Sequence, residues 1–122
     1  GGHDEALGFF KEALRRAERM GPALNALAVA SYGRGKTDPA ISYSKEAIRE
    51  AGTNVALLAA AKRNLAILYQ VKGDFGQAAQ AAASAVQCLG SDADPRVLAG
   101  LHLRAGQLFR RLGEIKDARE HL

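Results

Sequence analysis

The sequence predicts an all-α chain of about seven helices stacked as antiparallel pairs, and three observations carry that expectation. A glycine recurs with small residues at fixed distances around it, apolar residues return at intervals of three and four, and no stretch shows the alternation of a strand. The glycines are Gly1, Gly35, Gly73 and Gly113, separated by 34, 38 and 40 residues. Ala6, Ala40, Ala78 and Ala118 follow them at five residues, and Ala13, Ala47 and Ala85 at twelve. Ala28, Ala66 and Gly106 stand seven residues before the internal glycines, and Ser31, Tyr69 and Phe109 stand four before.

Each unit therefore reads as a helix, a short turn and a second helix. The first segment, 3–19, carries Leu7, Phe10 and Leu14 on one side. A helix over 22–34 opens at Pro22, where a first turn tolerates proline because its missing N–H has no partner there anyway. Beyond Gly35, the segment 37–50 repeats Ala-Ile at Ala40-Ile41 and Ala47-Ile48. Thr53 is the expected N-cap of 53–72, whose run LAILYQV is apolar at helical intervals. After Gly73 comes 75–89, then 96–112 with Ser91 or Asp94 as cap and Pro95 in its first turn, then 115–122 with Ile115, Ala118 and Leu122 on one side. Ala28, Ala40, Ala66, Ala78 and Gly106 are expected to be buried where helices approach closely, with the aromatics filling the space beside them.

The stretch Leu65, Ala66, Tyr69, Gly73, Asp74, Phe75, Ala78 and Ala85 resembles the tetratricopeptide repeat family, and the other units repeat it more loosely over nearly the whole chain. The long spacing is similar to the kinesin light chain and cell-polarity adaptor branches of that family. The sequence departs from the family in having no tryptophan and in having the usual terminal proline absent or displaced to Pro22 and Pro95. The resemblance implies a right-handed superhelix of helix pairs, an α-solenoid, forming one domain over 1–122. It also implies a protein-binding module whose first helices line a concave groove. Asn25, Ala26, Arg63, Asn64, Leu103 and Arg104 then face the groove, and Tyr32, Ile67, Gln70, Gln107 and Arg110 or Arg111 extend the lining.

Charge supports an acidic ligand for such a groove. The segments 22–36, 53–72 and 96–112 hold nine cations (Arg34, Lys36, Lys62, Arg63, Lys72, Arg96, Arg104, Arg110, Arg111) and no Asp or Glu. Five of these lie near helix C-termini, where the helix dipole favours them by about 0.3–1 kcal/mol each. Lys62, Arg63 and Arg104 lie mid-helix and need another reason. An asparagine donates and accepts together, as a peptide amide does, so Asn64 suits an extended backbone whatever its side chains. The planar fork of Arg104 suits a carboxylate. In chaperone adaptors of this family, five groove residues grip a C-terminal carboxylate. Asn64 and Arg104 match two of the five places, whereas Asn25, Val29 and Gly100 occupy the others. An internal acidic segment is the better expectation than a chain end.

Other classes find less support. His3, His102 and His121 are scattered, without metal-ligand spacing, the single Cys88 excludes a disulfide framework, and no phosphate-cradling glycine motif is present. The expectation is a non-enzymatic adaptor without cofactor or metal. A structural scaffold segment, or nucleic acid and anionic surfaces held by the basic face, are the alternatives. A net charge of +4 is too small to demand nucleic acid, and the seven Phe and Tyr residues are needed for packing. No apolar run reaches membrane-spanning length, which points to a cytoplasmic protein or an organelle interior. The chain opens and closes within repeats, as a piece of a longer array does, and weak self-association through the outer helices is expected.

Overall fold

The computed structural model describes residues 2–90 and 93–120. They form five helices: α1 (Gly2–Gly33), α2 (Thr37–Glu50), α3 (Val55–Lys72), α4 (Phe75–Leu89) and α5 (Pro95–Glu120), with no strand among the described residues. Ser91 and Leu122, and the side chains of Phe10 and Leu14, lie outside that description. Each helix packs on its neighbour in sequence, and α1 also reaches α3.

The junction between α3 and α4 shows how two residues make a turn. Gly73 takes φ +87°, a left-handed conformation that costs a residue with a Cβ far more than glycine. Its N–H donates to the Gln70 carbonyl (3.1 Å) and the Asp74 N–H donates to the Tyr69 carbonyl (2.8 Å), closing the end of α3. The Asp74 carboxylate then accepts from the Gln77 N–H at 3.2 Å and opens α4. Gly35 (φ +76°) closes α1 in the same pattern, with Gly35 N–H on the Tyr32 carbonyl and Lys36 N–H on the Ser31 carbonyl.

Gly35 turns the chain although Lys36 supplies no capping side chain to α2, whereas Gly21 and Gly113 do not take a left-handed φ and the helix runs on, so among the described residues five helices stand where about seven were expected. Gly113 is followed by Glu114, not by a short capping side chain, and α5 passes through it. Pro22 was expected to open a helix but lies inside α1. No capping residue precedes it, and the buried Gly21 serves packing: a Cβ there would lie 2.5 Å from Leu57. Asn54 rather than Thr53 caps α3, accepting from the Leu57 N–H at 3.1 Å. Asp94 caps α5, accepting from the Arg96 N–H at 2.9 Å.

The core lies along α3 and α4. Ala66, Ala78, Ala79 and Ala82 are fully buried, and their small side chains bring helix backbones together around Leu65, Leu68 and Tyr69, with Ala40 and Ile41 on one side and Ala105 and Leu108 on the other. Ala28, Ala40, Ala66 and Ala78 are buried as expected, but Gly106 is exposed. In α3 the glycine-frame positions 66 and 69 are covered by neighbours; α5 packs mainly on α4, turning Leu101, Ala105 and Leu108 inward. Phe109, the counterpart of Tyr69, is consequently 52% exposed where Tyr69 is 9% exposed.

Candidate functional site

One side of α3 forms two neighbouring crevices with the helices beside it. A helix advances 100° per residue, so Arg63, Asn64, Ile67 and Gln70 project from the same half of α3. The first crevice, about 300 Å³, is walled by Ala28, Val29 and Tyr32 of α1 and by Arg63, Asn64, Ile67 and Leu68 of α3. Its wall is mainly apolar, with the guanidinium and the amide as the polar features. At this α1–α3 boundary the Asn64 side-chain N–H donates to the Asn25 side-chain carbonyl at 2.9 Å. That bond leaves the Asn64 carbonyl, its second N–H and the Asn25 amide hydrogens free for a ligand.

The second crevice, about 330 Å³, lies between α3 and α5. Gln70, Arg104, Gln107 and Arg111 line it over Phe75 and Leu108. Arg104 donates to the Gln70 side-chain carbonyl at 3.1 Å, which fixes one arm of its fork. Arg111 lies 5.6 Å from the centroid of the Phe75 ring and 3.7 Å from Glu114, so its charge is partly spoken for. Arg63 and Arg104 have no carboxylate within 4.0 Å among the described residues.

The structure thus brings Arg63, Asn64 and Ile67 together in one crevice and Gln70, Arg104, Gln107 and Arg111 in the next, with Asn25 joined to Asn64. Ala26, Leu103, His102 and Arg110 are exposed and line neither. Lys62 corrects the sequence reading. Counted with the cations of the first helices, it projects from the opposite side of α3, where its ammonium donates to the Ser84 hydroxyl at 2.6 Å and to the Cys88 sulfur at 3.2 Å. Lys72 is engaged too. Its ammonium meets Asp38 at 2.7 Å, and that hydrogen bond, with the carboxylate's charge, holds it above the ordinary lysine pKa. Sequence reasoning missed Val29 and Leu68 as apolar walls and Phe75 as the platform under Arg111. The only signal for Phe75 was its place directly after the Gly73-Asp74 turn.

No family model matches the chain, and no curated protein matches it.

Proposed function

We propose that the chain is a tetratricopeptide-like solenoid, its helix pairs wound as a right-handed superhelix, and that its concave groove binds an extended acidic segment of another protein. The observation that carries this reading is the pair of crevices on one side of α3, which combine two cations lacking carboxylate partners among the described residues with a paired amide and an apolar wall. An extended chain advances about 3.3 Å per residue and carries main-chain amides that Asn64 and Asn25 can satisfy. Arg63 and Arg104 would take its acidic side chains. The exposed Leu7, Phe9, Met20 and Leu27 on α1 favour a second reading, a scaffold segment that joins a larger assembly by its helix faces.

Selection of extended peptides from a random displayed library on the purified chain tests the first reading. Acidic sequences should emerge. Asn64→Ala should then weaken a selected peptide by about 1 kcal/mol, roughly fivefold, through lost backbone hydrogen bonds. Arg104→Ala should cost more and flatten the salt dependence. A selected ligand whose affinity ignores changes at Arg63, Asn64, Arg104 and Gln107 sinks the groove reading. Preferential retention of single-stranded nucleic acid, with affinity falling steeply in salt, would move the assignment to the basic-face alternative.

A further inference from the structure

A third crevice opens on the far side of α3, between α2 and α4, and its chemistry differs from that of the groove. It measures about 280 Å³ and is floored by Ile48, Leu65 and Tyr69. Two lysines converge on it from different helices. Lys62, half-buried on α3, donates to the Ser84 hydroxyl and the Cys88 sulfur. Those neutral partners use two of its three N–H donors and leave its charge uncompensated. Lys45 of α2 lies 5.7 Å from the centroid of the Tyr69 ring. Neither ammonium has a carboxylate within 4.0 Å among the described residues, and no Asp or Glu lines the crevice. Gln77 and Gln80 of α4 add side-chain amide donors at its edge.

We propose that this crevice is an anion site that takes one phosphate group, either free or carried on a small phosphomonoester. A half-buried cation without a counterion is an electrostatic deficit, and a dianion between Lys45 and Lys62 removes it. Lysine serves phosphate as a compact point charge with rotatable donors, whereas a planar carboxylate is better matched by arginine. The volume of about 280 Å³ lies just below the range of drug-sized ligand pockets, about 300 to 1,000 Å³, which suits a compact anion and not a polymer. The site is independent of the groove, because Lys62 and Asn64 project from α3 200° apart at 100° per residue.

Inorganic phosphate and glycerol phosphate, with succinate as a dicarboxylate control, can be titrated into the full chain at constant ionic strength while amide resonances are followed by NMR. Phosphate should shift the Gln80 and Ser84 amides saturably with one-to-one stoichiometry. Lys45→Gln and Lys62→Met should each weaken it at least about tenfold, the loss expected for a charged hydrogen-bond partner. The double variant Arg63→Ala, Arg104→Ala should leave it unchanged. Lys45 is exposed, so its variant keeps the test decisive if Lys62→Met disturbs folding. Absence of saturable binding, retention of full affinity in Lys45→Gln, loss in the groove double variant, or succinate binding as tightly as phosphate would each overturn the proposal.

Discussion

Two substitutions at equivalent repeat positions should move stability in opposite directions. Ala66 and Gly106 both stand seven residues before a turn-frame glycine, yet Ala66 has no exposed surface and Gly106 faces open space, with nothing within 4 Å of a Cβ built on it. Leucine at 66 adds three carbons. Were there room, their burial would stabilise by about 2 kcal/mol, at about 0.8 kcal/mol each. Ala66, like Ala40, Ala78 and Ala79 of the same cluster, has no exposed surface, so the added carbons meet neighbouring side chains. Overpacking should prevail, with a net loss of about 1–3 kcal/mol. At 106, Gly→Ala removes backbone freedom from the unfolded chain and meets no neighbour, so it should stabilise by about 0.5–1 kcal/mol. Urea denaturation followed by circular dichroism measures both. With a slope near 2 kcal/mol per molar, a 2 kcal/mol loss lowers the midpoint by about 1 M. If Ala66→Leu stabilises, the α3 core is looser than described. If Gly106→Ala destabilises, the outer face of α5 is covered by something.

Gly73→Ala should cost about 1 kcal/mol by forcing a side chain into φ +87°. No clash accompanies it, so an unchanged urea midpoint would mean that the turn adopts another geometry. The bond to Asp38 raises the Lys72 pKa in the folded chain, so its contribution is present below the unfolded lysine pKa, about 10.4, and disappears as pH rises through the higher folded value. Stability should therefore decline slightly above that pH, and Asp38→Asn should abolish this part of the decline; the same alkaline profile in both proteins would refute the linkage. Exposed Leu7, Phe9, Met20 and Leu27 on α1 and Leu103 and Phe109 on α5 predict weak, concentration-dependent association. Sedimentation equilibrium should show the average mass rising with concentration, and a constant monomer mass would contradict it.

The middle of the fold was legible from the sequence because a left-handed glycine stands in each of its turns, at Gly35, Gly52 and Gly73. The segments 37–50, 53–72 and 75–89 match α2, α3 and α4 to within two residues at each end. Gly73-Asp74 supplies both the left-handed residue and the cap. Gly35, Gly21 and Gly113 all lack a capping side chain after them, yet only Gly35 turns the chain, while Gly21 serves close packing and Gly113 an uninterrupted helix; the sequence pattern does not separate these uses. For the candidate site, the resemblance to the repeat family implied that Asn64, Gln70 and Arg104 face a groove, and these residues do line crevices. Phase gave no partner for Lys62, because its hydroxyl and sulfur partners lie 22 and 26 residues away on α4. The bond between Asn25 and Asn64 was equally hidden, since they occupy different positions of the repeat frame and meet only through packing of α1 on α3.

The uneven placement of buried residues also sets a time scale along the chain. Among the described side chains of residues 2–20 none is buried, and the ion pairs there join Glu12 to Arg15, Arg16 and Arg19 on the surface of α1 itself. Such pairs contribute at most about 1 kcal/mol each, so the described side chains of this stretch tie it only weakly to the core around Ala66 and Ala78. Amide hydrogen exchange should accordingly run fast over the first five turns of α1 and slow through α3 and α4, whose amides open only when the core does. Because α3 and α4 are joined by a two-residue turn, their contacts are close in sequence, and that hairpin is the segment best placed to form first and template the rest.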